Sequence, residues 1–434
     1  MKGNFQLIIL IVFIAAAILG VLVFSGAIPI GKSSNSGSLG TLILWGTVPT
    51  DSIAQSIHTF NNENPTFVVR YVEKSADTFD QDLLEALATG TGPDMIFLPD
   101  NLAYHYTNKI ATIPYASFPL VSFQNTFAEA GNVFLTSNGV LALPMSIDPL
   151  MLYYNRSMLD ANGIVYPPAT WDDLTTMAPT LTQKSNATIN KSAVALGQFS
   201  NINNAKDILA TLFMQTGNPI IKEDNGSYSA VLNSQTATST DLSSVLQFYT
   251  SFADPGQSVY SWNSSFSNSG DAFSSENLAF YFGFASELPA LVNKNPNEDF
   301  FVAPVPQIKG SNTKLTLARV TGIAIMASSK NPTLAFTAAN LMSTGDFATA
   351  FATATGTVPA RRDLLAVKPT NDSYSPYFYD SALYSRSWLD PSGTDTDTIF
   401  SGMVNSVLSG NMTPGDAIND ANSKMNLLLL NSNQ

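Results

Sequence analysis

Residues 41–101 carry the pattern that decides the fold, reading TLILWGTVPTDSIAQSIHTFNNENPTFVVRYVEKSADTFDQDLLEALATGTGPDMIFLPDN. Three short apolar runs, at Thr41–Trp45, Phe67–Val72 and Met95–Leu98, predict buried strands. Between them, apolar residues recur every three or four positions, which predicts two amphipathic helices. This alternating order is typical of a parallel sheet with right-handed crossovers, so the predicted fold class is α/β.

The carboxyl ends of the predicted strands carry the first candidate ligand contacts, because ligands of open α/β sheets bind beyond these ends. Trp45 ends the first run, and Asp100 and Asn101 follow the third. The alternative for Trp45 is a position in the core. The alternative for Asp100 and Asn101 is a local turn in which their side chains bond nearby amides.

Asp148 lies between two apolar runs in the segment Val140–Tyr154, which reads VLALPMSIDPLMLYY. Burying an unpaired carboxylate is costly, so Asp148 needs a bound ligand or a fixed basic partner such as Arg319. If a ligand is the partner, Asp148→Asn should weaken binding and leave the melting temperature of the empty protein nearly unchanged. If Asp148 holds Arg319 or caps local amides, the substitution should lower that temperature.

The composition predicts two domains and excludes several classes of function. The chain has 434 residues, 45% of them hydrophobic, and single cores stop growing near roughly 250 to 300 residues. Only 12% of residues are charged and the net charge is −13, which disfavours binding to nucleic acid. The absence of cysteine removes disulfides, thiolate nucleophiles and thiolate zinc sites, and the chain has only two histidines. We therefore expect no cofactor and no metal.

The first 40 residues predict a membrane anchor followed by a tether. Residues 7–30 are almost wholly apolar. About 20 apolar residues span a bilayer, whereas a secretory signal has an apolar region of about 7 to 15 residues. We therefore favour an uncleaved single-pass anchor within residues 1–31, in contact with the lipid bilayer, over a cleaved signal. Residues 32–40 form a Gly/Ser tether, and the export-like start places the body outside the cell.

Eight strings of residues are informative as an ordered set. They are LILWG (Leu42–Gly46), LATGTGPDMIFLPD (Leu87–Asp100), LALPMSIDPLMLYYNRSML (Leu141–Leu159), PPATWDDL (Pro167–Leu174), DFFVAPVP (Asp299–Pro306), TGIAIMASSKNPTLAFTAANLM (Thr321–Met342), GTVPARRDLL (Gly356–Leu365) and GNMTPGDAINDANSKMNLLL (Gly410–Leu429). Together they resemble the extracellular solute-binding proteins of ABC importers, of the maltose-binding-protein-like type. Family members in Gram-positive bacteria usually carry a lipidated cysteine, which this chain lacks.

The resemblance implies a two-lobed periplasmic-binding-protein fold, type II-like, preceded here by an N-terminal transmembrane helix. Two α/β lobes would be joined by a hinge that the chain crosses three times. The crossings are expected near Met145–Pro149, Leu315–Thr321 and Gly356–Ala360. The first lobe would hold residues 40–147 and 321–356, and the second lobe would hold residues 148–316 and 360–434.

The resemblance also implies roles for individual residues. Asp100 and Asn101 match a position that hydrogen-bonds sugar hydroxyls, and Asp148 matches a hinge position that faces the cleft. Phe284 matches an aromatic platform that the second lobe offers to the ligand. Independently of the resemblance, the adjacent residues Tyr153 and Tyr154 are expected to divide, one into the core and one toward the cleft, and Tyr154 is the candidate for the cleft.

Two tryptophans outside the apolar runs are further candidate contacts. Trp262 and Trp388 lie in loops rich in Ser, Asn and Asp. Exposed tryptophan is unusual unless something stacks on it, so both are candidate ligand contacts, and the alternative is that each packs within the protein. Trp171, which follows the predicted N-cap Thr170, is expected to be structural.

The function that the resemblance implies is a membrane-tethered extracellular receptor, which captures a small solute between its lobes and delivers it to an ABC permease. Carbohydrate is the favoured solute because aromatic faces stack on the C–H faces of a sugar while Asp and Asn bond its hydroxyls. We expect a monomer that closes about its hinge on binding.

The sequence is compatible with three alternative functions. Acidic residues and tryptophans could instead hold a polyamine through cation–π contacts. An extracellular glycoside hydrolase or lyase would need two carboxylates about 5 to 9.5 Å apart, a role open to Asp100 and Asp148. The chain contains no hydrolase, phosphate-loop or dinucleotide motif, so we expect a binding protein and no enzyme. The ligand module of a sensor would share the same sequence features as an import receptor.

Overall fold

The computed structural model describes residues 40–186, 188–224, 226–234, 241–370 and 372–431. The predicted anchor, and the tether as far as residue 39, lie outside these ranges. Within the described ranges, no helix combines the length and the apolar character that crossing a membrane requires.

The strands and helices of the described ranges are as follows. The strands are β1 (Thr41–Gly46), β2 (Val68–Glu73), β3 (Met95–Pro99), β4 (Ile113–Pro114), β5 (Leu135–Thr136), β6 (Gly139–Val140), β7 (Ala142–Asn155), β8 (Gln183–Ser185), β9 (Thr188–Val194), β10 (Ile221–Asp224), β11 (Ser227–Ala230), β12 (Leu278–Phe284), β13 (Phe300–Pro304), β14 (Thr316–Ile325), β15 (Val358–Pro359) and β16 (Ser385–Arg386). The α-helices are α1 (Thr50–Glu63), α2 (Phe79–Ala88), α3 (Asp100–Tyr106), α4 (Leu120–Thr126), α5 (Arg156–Ala161), α6 (Trp171–Leu181), α7 (Ala205–Gln215), α8 (Leu242–Ser251), α9 (Ser269–Ser274), α10 (Leu288–Lys294), α11 (Pro332–Met342), α12 (Gly345–Ala354), α13 (Arg362–Leu365), α14 (Ser375–Leu383), α15 (Gly393–Leu408) and α16 (Pro414–Asn431). Short 3₁₀ helices occupy Glu129–Phe134 and Ala285–Glu287.

The first sheet is built on the predicted parallel unit. Strand β1 pairs in parallel with β2 and with β3, and β14 continues the sheet antiparallel to β3. Helix α1 buries Ile53, Ile57 and Phe60, and the ring of Phe60 meets Phe347 of α12 at 5.5 Å between centroids. The carboxyl ends of β1 and β3 therefore lie at one edge, as the sequence predicts.

Strand β7 belongs to both sheets. Its first part, Ala142–Pro149, pairs with β14, and its second part, Leu150–Asn155, pairs with β12 and β13. The sequence predicts two extended runs interrupted at Ser146–Pro149, whereas the structure has one continuous strand of 14 residues. Residues 146–149 stay in the strand because they pair with residues of β14 on one side and of β15 on the other.

The three predicted hinge crossings lie side by side. Asp148 of β7 is opposite Arg319 of β14, and Ile147 is opposite both Val320 of β14 and Val358 of β15. Neighbouring strands of this kind suit a hinge between two lobes, and that these three segments form the hinge stays a prediction. The assignment of individual residues to each lobe stays a prediction.

The second sheet places β12 between β7 and β9, and helix α6 packs beside β9. The predicted cap of α6 is confirmed, because the Thr170 hydroxyl accepts from the Asp173 amide while the Asp173 carboxylate accepts from the Thr170 amide. Trp171 is buried, and its indole donates to Gln215 Oε1 at 2.7 Å. Its structural role is therefore confirmed.

Candidate ligand-binding cleft

Two adjoining cavities of about 920 Å³ and about 520 Å³ lie between the α3 edge of the first sheet and the α7 side of the second. Six residues line both of them: Asp80, Asn101, Leu102, Lys206, Asp207 and Arg319. The two cavities therefore form one cleft. Each cavity by itself has the size of a small-ligand site, roughly 300 to 1,000 Å³.

Asp100 and Asn101 enter the cleft where β3 ends and α3 begins. Asp100 is 7% exposed and accepts a hydrogen bond from the Ser387 hydroxyl at 2.5 Å. Burial raises its pKa to about 6, and the Ser387 hydrogen bond opposes that rise. Its other oxygen accepts from the Asn101 amide at 3.0 Å, so the alternative role, a bond to a nearby amide, is present as well. Asn101 is exposed and lines both cavities.

Asp148 lines the smaller cavity but has its own partners. The amide and the hydroxyl of Ser286 donate to its two oxygens at 3.0 and 2.6 Å. Burial raises its pKa to about 6, opposed first by Ser286 and then by the nearby charge of Arg319. The expected basic partner, Arg319, makes its ion pair with Asp207 instead, at 2.7 Å. Asp148 therefore bonds a residue that is distant in sequence, which is neither the expected pair with Arg319 nor a cap of local amides, and its contact with a ligand stays a prediction.

The predicted aromatic platform is covered. Phe284 is 0% exposed, and the guanidinium carbon of Arg319 lies 3.8 Å from the centroid of its ring. Arg319 covers the ring because β14 and β12 flank β7, and Arg319 and Phe284 pair with nearby residues of β7, Asp148 and Leu150. The surface offered to the cleft at this point is a guanidinium, which lines both cavities.

A polar network fixes Arg319 in this place. Its Nη2 donates to Asp207 Oδ2 at 2.7 Å and to Asn204 Oδ1 at 3.3 Å. Asn204 adopts the left-handed conformation, with φ of 59°, which asparagine tolerates better than most residues. Its amide nitrogen donates to Glu287 Oε1 at 2.8 Å, and that oxygen also accepts from the Phe284 amide. The pKa of Arg319 is raised: burial lowers it, but Asp207 and then other carboxylates outweigh burial.

A largely buried ion pair holds the loop Ser387–Gly393 against the start of α7. Lys206 Nζ donates to Asp390 Oδ2 at 2.8 Å and to the Gly393 carbonyl at 3.0 Å. Trp388 on the same loop lines the smaller cavity, with 6% of its surface exposed, and its ring stacks on Phe400. The expectation that Trp388 reaches the cleft therefore agrees with its place, although most of the ring packs in the core.

Carboxylates outnumber cations in the cleft. Seven aspartates line the two cavities: Asp80, Asp100, Asp148, Asp207, Asp390, Asp395 and Asp397. The lysine and arginine residues that line them are Lys206 and Arg319. Such a lining offers many acceptors and a few fixed donors, which suits a ligand rich in hydroxyl groups. No group of three or more His, Asp or Glu side chains in the described ranges is spaced to hold a metal ion.

The family model described as bacterial extracellular solute-binding protein matches residues 55–374 of this chain. The chain belongs to this family. The family predicted from the ordered strings is thereby confirmed, and the match includes the cleft residues of β3, β7, α7 and β14.

Solved structures support the same fold for this solute-binding protein. The cyclic α-maltosyl-1,6-maltose binding protein of Arthrobacter globiformis superposes with a TM-score of 0.73 at 15% identity, over 91% of this chain and 100% of that chain. A cyclo/maltodextrin-binding protein complexed with maltotetraose gives 0.72 at 19% identity, over 89% and 96%. The two-lobed α/β periplasmic-binding-protein fold predicted from sequence is confirmed at this level.

A curated relative matches over a shorter segment. The Brucella abortus protein named "Putative binding protein" is 21% identical over 160 residues, which are 36% of this solute-binding protein. The matched segment covers only 38% of that relative's length.

Two predicted aromatic contacts of this solute-binding protein lie in the core. Trp45 is 8% exposed, lies outside the cleft lining, and carries Lys74 Nζ 3.9 Å from its ring centroid. Trp262 is 0% exposed, because its ring stacks on Phe266 at 4.3 Å and its indole donates to Asn201. The loop composition that predicted an exposed Trp262 is misleading, since the loop folds back on the indole.

Tyr154 is also absent from the cleft lining. It lines a separate surface cavity together with Arg156, Phe301 and Tyr377. Along β7, Tyr153 is fully buried and donates to the Phe284 carbonyl at 3.0 Å. One tyrosine is therefore in the core, as expected, but the other points to a separate surface cavity and away from the cleft.

Several cleft residues were not singled out from sequence. Asn204, Lys206 and Asp207 come from the start of α7, where NNAKD precedes the apolar run ILATLFM. A charged pair in the first turn of an otherwise apolar helix was a usable signal, because such charges need partners. Ser387 offered no comparable signal, since its role depends on meeting Asp100 across the cleft.

Proposed function

We propose that this solute-binding protein captures a neutral oligosaccharide in the cleft and delivers it to an ABC permease. The observation that carries the proposal is the lining of the cleft, where Asp100 and Asn101 from α3 face Arg319 and Asp207. A sugar hydroxyl both donates and accepts, so it can be shared between a carboxylate and a fixed donor. The structural neighbours with sugar ligands support the carbohydrate class.

Closure about the three strands of the hinge would bring the two walls together. In the proposed division into residues 40–147 plus 321–356 and residues 148–316 plus 360–434, several contacts already join the lobes, and two of them involve α3 beside the cleft. Ser387 donates to Asp100, and the Tyr104 hydroxyl donates to the Leu429 carbonyl at 3.0 Å. Contacts made only when the lobes approach favour the closed form, and a ligand that bridges both walls adds to them.

The apolar residues 7–30 would hold the protein in the membrane as a monomer with its body outside the cell, and residues 32–40 would let the lobes reach the permease. Membership of an extracellular family supports this orientation. The permease is proposed from the family as well.

Calorimetric titration of the full-length protein tests the proposal, in a detergent without a sugar headgroup so that the detergent does not compete. A panel of neutral malto- and manno-oligosaccharides should contain a saturable ligand, and chromatography should recover it unchanged. Release of shorter sugars would indicate the glycoside hydrolase or lyase. Saturable binding of spermidine with no sugar binding would favour a cationic solute, the second candidate, which the surplus of carboxylates supports.

A further inference from the structure

Two buried side-chain oxygens beside the second sheet lack a hydrogen-bond partner. Within the described ranges, these are Glu298 Oε2 and Ser274 Oγ. Glu298 is 8% exposed and Ser274 is 7% exposed, so water reaches neither side chain freely. Burying an unpaired polar group is costly, and buried charges in proteins are paired or coordinate metals. The two oxygens therefore point to a partner other than the side chains of this protein.

Asn295 connects the two residues. Its side-chain amide donates to the Ser274 carbonyl at 2.9 Å, and its own carbonyl accepts from the Glu298 amide at 3.2 Å. The rings of Phe273 and Phe300, which follow the same two stretches of chain, meet at 5.7 Å between centroids. The unpaired oxygens therefore belong to one small region, where the end of α9, the turn after α10 and the start of β13 meet.

This region carries negative charge without a basic partner. Burial and then the charge of Glu276 raise the pKa of Glu298 to about 7, so the two glutamates lie close together. The neighbouring basic residues, Lys294 and Arg156, pair with other carboxylates. In the described part of the chain, neither glutamate takes part in an ion pair. Two such carboxylates carry the charge that one divalent cation balances.

We propose that this region binds a divalent cation of the calcium type, with Glu298 Oε2, Ser274 Oγ and the Glu276 carboxylate among its ligands. Ca²⁺ accepts carboxylates, neutral oxygens and waters in a flexible geometry, whereas Mg²⁺ demands a near-ideal octahedron and gives up its waters reluctantly. The site uses two acidic side chains and completes its shell with neutral oxygens. It therefore differs from the groups of three or more acidic or histidine side chains that the described ranges lack.

The cation fastens three strand ends of the second sheet. Glu276 precedes β12 and Glu298 precedes β13, and both strands pair with β7 at this end. Glu298 Oε1 accepts from the side chain of Asn155, the last residue of β7, at 3.3 Å. The bound ion therefore stabilises the folded second sheet whether or not a saccharide occupies the cleft, and the inference does not rest on the proposed function.

Calorimetric melts of the full-length protein in detergent test the site. The protein is freed of metal with a chelator and scanned at pH 8, where Glu298 is ionised, with Ca²⁺ or Mg²⁺ or with NaCl of equal ionic strength. Extracellular calcium modules have dissociation constants of about 0.1 to 1 mM, so Ca²⁺ at about 10 mM should raise the melting temperature by about 2 to 6 °C. Mg²⁺ should raise it less.

Three variants show whether the shift comes from this site. Glu298→Gln should lose the calcium-dependent shift, and Ser274→Ala should reduce it. The matched control Glu63→Gln makes the same substitution at an exposed carboxylate on α1 and should keep the full shift. The shift is measured within each variant, so a lower starting melting temperature does not affect it. Ser274→Ala decides alone if Glu298→Gln does not fold.

Three results overturn the inference. A calcium-dependent shift of the same size in all the folded variants means that Ca²⁺ acts on the negative charge of the whole protein. An equal shift of wild type with Mg²⁺ means that the region does not select calcium. No shift of wild type means that a proton or a water is the partner of Glu298. None of these results bears on the saccharide titration, which tests the proposed function separately.

Discussion

The substitution Asp148→Asn should alter how the stability of the empty protein depends on pH. Both carboxylate oxygens of Asp148 accept from Ser286, and the side chain is 8% exposed. Asparagine has the same shape and can keep both contacts, because the Ser286 hydroxyl can turn to accept from its amide. What the substitution removes is the buried charge.

The size of the effect follows from the pKa of Asp148, which burial raises from 3.8 to about 6. At about 1.4 kcal/mol per pKa unit, this rise corresponds to about 3 kcal/mol. The folded protein holds the proton more tightly than the unfolded chain, so the wild type is stabilised by this group below pH 3.8 and loses that stability as the pH rises through 6. The asparagine of the variant cannot titrate. The difference in unfolding free energy, Asp148→Asn minus wild type, should therefore be about 2 to 3 kcal/mol larger at pH 7.5 than at pH 4.

Urea unfolding of the empty protein at pH 4, 5, 6 and 7.5 measures this difference. The control is Asp77→Asn, which makes the same substitution at an exposed carboxylate. A difference between Asp148→Asn and wild type that does not depend on pH would refute the reasoning, because Asp148 would then titrate alike in the folded and unfolded states. The predicted outcome differs from both sequence-based expectations, in which the melting temperature is unchanged or lowered.

Three further outcomes concern the hinge, the N-terminus and a second buried acid. Saturating saccharide should lower the radius of gyration measured by small-angle scattering, and tight binding without compaction would indicate a rigid module. Cell fractionation and N-terminal sequencing should find the protein in the membrane with residues 1–31 intact; a soluble species that begins shortly after Ser25 would contradict the anchor. Burial raises the pKa of Glu298 to about 7. Raising the pH from 5 to 8 should therefore lower the unfolding free energy of wild type more than that of Glu298→Gln, as measured by urea titration. If both proteins lose the same unfolding free energy, burial does not raise the pKa of Glu298.

The part of the fold that the sequence predicts is the part with a local pattern. The runs at Thr41–Trp45 and Met95–Leu98 became β1 and β3 within a residue, because each buried strand is bounded by Gly or Pro. The segment Val140–Tyr154 misled in one respect. It is buried along nearly its whole length, so no alternation of polar and apolar residues marks the point where β7 leaves one sheet and joins the other.

The candidate site was predictable only where a polar residue interrupts an apolar pattern. Asp100, Asn101 and Asp148 follow or divide apolar strands and were found in this way. Arg319 was seen only as a partner for Asp148, since Asp207 and Phe284, which fix its position, are distant in sequence. No local pattern distinguishes a tryptophan that will stack on a sugar from one that will stack on a neighbouring ring.

The most direct test of a saccharide in the cleft is hydrogen–deuterium exchange of the full-length protein with and without a saturating neutral oligosaccharide. The account predicts slower exchange in three segments that line the cavities: the start of α3 at Asp100–Asn101, the start of α7 at Asn204–Asp207, and the loop Ser387–Gly393. Protection confined to other surfaces, such as the cavity beside Tyr154, or no protection with any saccharide of the panel, would contradict it.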